Sequence, residues 1–425
     1  MKRLIALMGC TLALSGLIGC AVNPVTGKNQ FSLVSAEDEV TIGNQNYGPS
    51  QQSQGGRYVV DPELNVYVNQ VGKKLAAVSD RPQLPYEFVV LNNGVPNAWA
   101  LPGGKLAINR GLLVELKDES QLAAVLGHEI THAAARHGAL QQTQNILVNT
   151  GVMVAGVAAA TQESEYAGLA VGALGVGANA WMSKYSRSHE LESDKYGIEY
   201  MIRAGYDPMG AVELQETFVK LSEGRQSNWL EGLFASHPPS QERVAANRQM
   251  AQAHPGGVRN KAAFERATAQ LRKDQAAYAE YDKALAAAGN KKYAEAMNLV
   301  ESAIKRQPKE NLFWELKGKL LLQDNKKDEA INALTKALQA NPEYVVPYVY
   351  RGIAYQQTGK NAQAEKDLLA AQRLLPTQLA TYYLGEVSLA QGKRSDAAKY
   401  FQQAAQGGGE LGDAAKNKLA SLGIQ

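Results

Sequence analysis

The chain has 425 residues, 45% of them hydrophobic, which is enough for two or three separately packed cores. Its formal charge of +3 is nearly neutral for that length, and no basic stripe interrupts the sequence, which excludes nucleic acid as an expected partner. The only two cysteines are Cys10 and Cys20.

The N-terminus has the form of a targeting segment. Lys2 and Arg3 precede an apolar run from Leu4 to Ile18 that is too short to span a membrane. The run ends Leu17-Ile18-Gly19-Cys20, which resembles a bacterial lipobox. The resemblance implies cleavage after residue 19 and lipidation of Cys20; the plainer reading is an ordinary secretory signal with an incidental cysteine. Val22, two positions after the cysteine, implies sorting to the outer membrane. Cys10 would leave with the signal, so the mature chain would carry neither a free thiol nor a disulfide in the oxidising periplasm. A lipid would then hold an otherwise soluble body at the bilayer.

Asn23-Pro24-Val25-Thr26-Gly27 reads as a turn-rich tether, and a helix is expected from about Ser35, with Glu37 to Glu39 in its first turn. Residues 48–57 read as a polar loop. Asp61-Pro62-Glu63 opens a second helix with a cap, a proline at the first position and an acid. Its apolar face is Leu64, Val66, Val68, Val71 and Leu75, running to about Val78. Three strands follow, at Tyr86–Leu91, Asn97–Leu101 and Lys105–Asn109, the last two joined by the turn Pro102-Gly103-Gly104. Asp118 caps a helix that runs through Leu122 and Leu126 beyond His132. Residues 145–182 are rich in glycine, alanine and valine and are divided by Gln162-Glu163-Ser164-Glu165. Each half falls short of the roughly twenty residues a span needs, which favours a buried hairpin or a covering element over membrane insertion. Helices are expected near 187–204, 208–223 and 239–252.

From about residue 273 the pattern becomes periodic. Pro308, Pro342 and Pro376 are 34 apart, and Gly318, Gly352 and Gly385 keep steps of 34 and 33. Ala296, Ala330, Ala364 and Ala397 keep the same step, as do Ala303, Ala337, Ala371 and Ala404. Small residues at these points let paired helices approach, and the proline stops the second helix of each pair. The pattern resembles the tetratricopeptide repeat, with four units between about 277 and 410 and a capping helix at Ala414–Leu422. Such arrays present a groove for extended peptides or partner proteins. The expected fold is therefore mainly α with a small β-sheet: a helical domain built around the three strands and an α-solenoid. The expected division is a signal at 1–19, a tether and first helix at 20–57, the domain carrying the strands at 58–256, a linker at 257–272 and the repeats at 273–425.

The chemistry lies in His128-Glu129-Ile130-Thr131-His132. Histidines four apart on a helix share one face, one turn apart, and can hold one zinc ion. Glu129 lies beside them, where it can take a proton from zinc-bound water. A catalytic zinc needs a third protein ligand and an open position. Glu190 is a candidate for the third ligand. Asp194, four residues on, is a candidate partner for a zinc histidine, fixing its tautomer. With Glu192 and Glu199 nearby, the same segment also reads as a solvated acidic helix face. His137 follows Arg136 at an expected helix end and suits the negative dipole there. His189 lies about 100° around the helix from Glu190, and His254 falls in a linker. None of these three is an expected ligand.

His-Glu-Ile-Thr-His followed by Ser186-Arg187-Ser188-His189-Glu190 and Asp194 resembles the HtpX-like, CAAX-prenyl-protease-related family of gluzincin metallopeptidases. Asn97-Ala98-Trp99-Ala100-Leu101-Pro102-Gly103-Gly104 and Ser236-His237-Pro238-Pro239-Ser240-Gln241-Glu242-Arg243 agree with it, so the resemblance spans about residues 35–255. A periplasmic or lipidated member with C-terminal tetratricopeptide repeats is similar to the beta-barrel assembly-enhancing protease group, which acts in outer-membrane protein quality control. The resemblance implies a zincin-like metallopeptidase domain at 58–256, with His128, His132 and Glu190 as ligands of one Zn2+ per chain and Glu129 as general base. It implies Asn97, Ala98, Trp99 and Ala100 as an edge strand for an extended substrate. His237 would stabilise the oxyanion or cap the metal in a latent state, and Arg243 would tie the local fold together. Residues 145–182 fall where the family has membrane spans or a covering plug.

The expected function is that of a zinc metalloendopeptidase acting on misfolded or misassembled envelope proteins, with the repeats collecting clients or docking on assembly machinery. A non-proteolytic lipoprotein chaperone or scaffold is the competing reading, and the short apolar halves argue against an intramembrane protease. The intact Glu129 favours the enzyme, since a structural zinc site has no use for it.

Overall fold

The computed structural model describes residues 20–147, 185–223 and 231–424. The segment 1–19 expected to be a signal, and all but the first residues of the apolar stretch 145–182, lie outside them. Among the described residues no helix is long and apolar enough to cross a membrane. The chain is mainly helical and divides into two units, residues 1–50 with 63–268, and residues 51–62 with 269–425.

The first unit begins with a short antiparallel hairpin, β1 (Cys20–Val22) and β2 (Asn29–Phe31), closed by the turn at Asn23. Helix α1 (Ala36–Ser53) starts at Ser35, whose hydroxyl and amide exchange hydrogen bonds with Asp38. It runs through Pro49 into the stretch expected to be a loop. Tertiary packing explains the difference. Tyr47 is buried against Val89, Trp99 and Leu101 and donates its hydroxyl to Leu106 O at 2.8 Å, and Ser50 is buried one turn further on. Helix α2 (Pro62–Ala76) buries Leu64, Val68, Val71 and Leu75 as expected but leaves Val66 exposed. Asn65 is buried in its place, accepting a hydrogen bond from Val90 N at 2.9 Å.

The three expected strands form one sheet in the order β3 (Glu87–Leu91), β5 (Lys105–Asn109), β4 (Ala98–Leu101). β3 and β5 are parallel, and β4 is antiparallel to β5 with Trp99 opposite Ala107. β4 is thus an edge strand of the described sheet. After the short helix α3 (Arg110–Leu113) comes α4 (Glu119–Ala134), capped by Asp118, whose carboxylate accepts from Gln121 N at 3.0 Å. Every residue of α4 is buried. Helix α5 (Arg187–Arg203) packs on it at glycines: a Cβ on Gly127 would lie 2.9 Å from Gly197 O, and one on Gly197 2.8 Å from His128 N. Only hydrogen at both positions lets the two backbones come this close. Helices α6 (Met209–Glu223) and α8 (Gln241–Ala253) pack together through Val212, Val219, Val244 and Ala251. Between them lies α7 (Glu231–Ser236), which was not expected from the sequence. Helix α9 (Lys261–Ala267) ends the unit.

In the second unit, α10 (Ala269–Lys273) leads into four helix pairs. The periodic alanines at 296, 330, 364 and 397 have no exposed surface. Each periodic glycine faces a large residue of its paired helix: Gly318 meets Leu334, Gly352 meets Leu368 and Gly385 meets Phe401. A further period lies in the backbone. Lys291, Asn325, Gly359 and Gly392 all have positive φ, at 59°, 59°, 73° and 77°, and turn the first helix of each pair into the second. The last helix spans Gly409–Ser421. Residues 51–62 belong with these repeats, since the Gln52 carboxamide bonds both Glu343 O at 2.6 Å and Val345 N at 2.9 Å.

Candidate metal centre

The close contact of α4 and α5 sets the site. His128 and His132, one turn apart on α4, face Glu190 in the first turn of α5. The Ser236-His237 turn after α7 brings in a third imidazole. Ligand atoms of His128, His132, Glu190 and His237 all lie within 4.8 Å of one another. His132 Nε2 is 3.0 Å from His128 Nε2, His128 Nε2 is 3.3 Å from His237 Nδ1, and Glu190 Oε1 is 3.0 Å from His237 Nδ1 and 3.4 Å from His132 Nε2.

These spacings fit a metal shell. Ligands held tetrahedrally at about 2.0–2.1 Å from one ion are separated from each other by about 3.3 Å. The donor set, nitrogen and carboxylate oxygen, is what zinc takes. Hydrogen bonding alone cannot satisfy three imidazole nitrogens and a carboxylate aimed at one point. The electrostatics agree. Burial disfavours a charged His128, yet Glu190 and Asp194 outweigh it and raise the imidazole to about 10. The same carboxylates would stabilise a cation placed there. Burial holds His132 well below the ordinary imidazole value, so it is neutral and has a lone pair to give. Glu190, though desolvated, is held low by the surrounding imidazoles.

Glu129 stands beside the cluster, its Oε1 3.5 Å from His237 Nε2. Its Oε2 is buried without a hydrogen-bond partner among the described residues, and burial raises the carboxyl above its usual range. A carboxylate oxygen left open and rendered more basic suits proton transfer. Next to it is a cavity lined by Ala98, Leu112, Val125, Leu214, Phe218 and Leu233 together with His128, Glu129 and His237.

Asp194 lies one turn after Glu190. Its Oδ1 is 2.9 Å from His128 Nδ1, and Arg243 takes the same carboxylate with Nε at 2.6 Å and Nη2 at 2.7 Å. Arg243 Nη1 also lies 2.9 Å from Glu190 Oε2 and donates to Pro238 O at 3.1 Å. One guanidinium therefore serves Glu190 and Asp194 of α5 and the turn that carries His237, a larger part than a local tie. Trp99 and Ala100 are buried in β4 and Ala98 borders the cavity, while Asn97 O accepts from Asn109 N at 2.8 Å. Cys20 begins β1 opposite Phe31.

Two residues at the site were not anticipated. Tyr185 stacks on His132, ring centroids 3.9 Å apart. His137, fully buried, lies with its Nδ1 2.9 Å from His132 Nδ1. A residue expected to sit at a helix end facing its dipole is instead packed under the site, because Arg136 has φ 66° and turns the chain back. The Arg136 guanidinium is fixed by Glu39 Oε1 at 2.6 Å and Val34 O at 2.7 Å. His189 stacks on His137 rather than facing solvent, and His254 is exposed at the end of α8.

A two-histidine helix with an adjacent glutamate, a carboxylate from a second helix and a cavity beside them defines a metallopeptidase site. Residues 62–251 form a peptidase family M48 domain, and residues 281–345 and 351–412 are tetratricopeptide repeats. The chain is homologous to the beta-barrel assembly-enhancing protease of Escherichia coli (strain K12), 29% identical over 370 residues that span 80% of this chain and 74% of that one. It is 32% identical over 223 residues to a mitochondrial metalloendopeptidase of Schizosaccharomyces pombe, covering 52% of this chain and 63% of that one. A metalloprotease of Escherichia coli (strain K12) is 26% identical over 224 residues, covering 52% of this chain and 83% of the relative. The chain is a metalloendopeptidase.

Proposed function

We infer that this metalloendopeptidase uses one Zn2+ held by His128, His132 and Glu190, and that it is a periplasm-facing lipoprotein, anchored through Cys20 at the outer membrane, which removes misassembled envelope proteins. The observation that carries the reading is the convergence of those ligand atoms beside a buried Glu129 oxygen that has no partner among the described residues. Bound zinc would supply Lewis-acid polarisation of the peptide carbonyl and of the attacking water. Glu129 would take the proton of that water and deliver it to the leaving amine nitrogen. Asp194, held by Arg243, would keep His128 in the tautomer that presents Nε2. The edge strand, from Asn97 through Ala98 and Trp99 to Ala100, would pair with an extended substrate backbone. His237 would donate to the developing oxyanion once displaced from the cluster. The repeats would hold clients or dock on outer-membrane assembly machinery, a reading supported by the name of the Escherichia coli relative.

A second reading has its own observation. His237 Nδ1 stands within 3.3 Å of His128 Nε2 and 3.0 Å of Glu190, so the four donors make a closed set. Closed sets are those of structural zinc, and catalytic zinc keeps a position open. A latent or non-proteolytic chaperone with a shut site follows from that geometry.

Glu129→Gln separates the two. The enzyme reading expects zinc content unchanged and turnover of an unfolded outer-membrane protein lowered by about 10²–10⁴-fold. Equal clearance by both proteins would leave the scaffold reading standing.

A further inference from the structure

The second histidine of α4 has a support distinct from that of the first. His132 turns Nε2 toward the cluster and Nδ1 the other way, 2.9 Å from His137 Nδ1. His137 Nε2 lies 3.2 Å from Glu192 Oε1, and that oxygen accepts a further hydrogen bond from Asn23 Nδ2 at 3.1 Å. His189 stacks on His137 with ring centroids 4.1 Å apart and planes 13° from parallel, which holds the imidazole in the plane of the chain.

The protons have one consistent placement when His132 Nε2 gives its lone pair to a metal. A neutral imidazole carries a single proton, so that of His132 sits on Nδ1 and is donated to His137 Nδ1. The His137 proton then sits on Nε2 and is donated to the Glu192 carboxylate. Reversing either ring sets two protons, or two lone pairs, against each other. Ser193 Oγ, 3.5 Å from His137 Nδ1, is the more distant alternative donor.

Asn23 is built to aim its amide. It is buried, its Oδ1 accepts from Val25 N at 2.9 Å and Thr26 N at 3.2 Å, and its backbone N and O bond Lys28 O and Gly27 N, both at 2.8 Å. The turn that joins β1 to β2 therefore ends in a side chain fixed on Glu192.

We propose that His137, Glu192 and Asn23 are positioning residues that hold His132 in its metal-binding tautomer, so that the turn three residues past Cys20 is a working part of the metal centre. The inference rests on the zinc reading above. It adds that His128 and His132 are supported independently, the first by Asp194 and Arg243, the second through His137 from the N-terminal hairpin.

The test is zinc affinity of the full chain by competition with a chromophoric chelator, together with the visible spectrum of the Co2+-substituted protein. His137→Phe, which keeps a ring but no nitrogen, is expected to weaken zinc binding about 10–100-fold and to shift the cobalt bands. His137→Asn restores an acceptor near Nδ1 and should recover most of that loss. Asn23→Ala is expected to weaken zinc about 2–10-fold alone, the worth of one hydrogen bond, and to add nothing in the His137→Phe background. Metal-free melting temperatures separate affinity from folding. A His137→Phe protein that melts and binds zinc like wild type overturns the proposal, and so does an Asn23→Ala effect that persists undiminished when His137 is already phenylalanine. If wild type takes up no zinc, the proposed function falls with it; if wild type binds zinc and the variants match it, only the positioning chain falls.

Discussion

Arg243→Met tests the electrostatic frame of the site most directly. The Arg243 side chain is 4% exposed, and its carboxylate partners Asp194 and Glu190 are 5% and 2% exposed. Methionine keeps much of the stem volume and removes the charge. Asp194 then loses two charge-assisted hydrogen bonds and Glu190 loses its nearest cation. Breaking a buried ion pair from one side costs about 3–5 kcal/mol, because the remaining charge is left in a poor solvent. In a unit of roughly 200 residues each kcal/mol moves the melting temperature by about 2–4 °C, so the metal-free variant should melt about 6–20 °C below wild type. Excess zinc places a dication beside the orphaned carboxylates and should recover part of the loss by binding only the folded state. Arg243→Lys keeps a charge without the planar fork and should fall between the two. Calorimetric melts in chelator and in zinc measure all three. A shift below about 2 °C in chelator, equivalent to less than about 1 kcal/mol, would mean that Asp194 and Glu190 do not depend on Arg243.

Two further outcomes follow from the packing. Asn97 O bonds Asn109 N, and alternation along an antiparallel strand then turns the N–H and C=O of Ala98 and Ala100 to the open side of β4; the Ala98 N–H is taken by the Asn97 side chain at 3.0 Å. Ala100→Pro should therefore lower kcat/KM about tenfold with zinc content unchanged, and steady-state kinetics unaffected by the proline would remove β4 as the substrate strand. In the repeats, a Cβ on Gly318 would sit 2.5 Å from Leu334 Cγ, so Gly318→Ala should cost about 1–3 kcal/mol in a denaturant melt of the full chain while zinc affinity stays put. No loss of stability there would mean that the pair has room to spare.

How much of this was legible in the sequence depended on the range of the contact. Spacing along one element carried well. His128 with His132, Glu190 with Asp194, the Asp118 cap and the 34-residue period all follow from the geometry of a single helix or helix pair. Contacts made by tertiary packing did not carry. Gly48 and Pro49 in a glutamine-rich stretch signal a loop, yet Tyr47 and Ser50 pack inward and hold the helix to Ser53. Val66 sits on the expected apolar face, but the position facing β3 is Asn65, chosen for a hydrogen bond rather than for hydrophobicity. Lys291 and Asn325 take the left-handed turn that Gly359 and Gly392 take in later repeats, a period hidden by its change of residue type.

His137 shows why a site can be read only in part from a helix wheel. On a continued helix it would lie five positions past His132, about 140° around the axis, and would have no way to touch it. The wheel fails because the helix stops: Ala134 is its last residue, and Arg136, at φ 66°, reverses the backbone. A non-glycine residue in that conformation is costly unless its surroundings hold it. Here they do, since Glu39 of α1 and Val34 of the loop between β2 and α1 bind the Arg136 guanidinium. Glu39 also binds Arg81 at 2.8 Å, so one buried carboxylate fixes two arginines around the end of α4. The placement of His137 under His132 therefore depends on a first-helix acid nearly one hundred residues earlier in the chain. That dependence leaves no local signature in the sequence. What the sequence does offer is a histidine and an arginine adjacent at a helix end, and the structure shows that such a pair is to be weighed as a reversal that returns the histidine to the site.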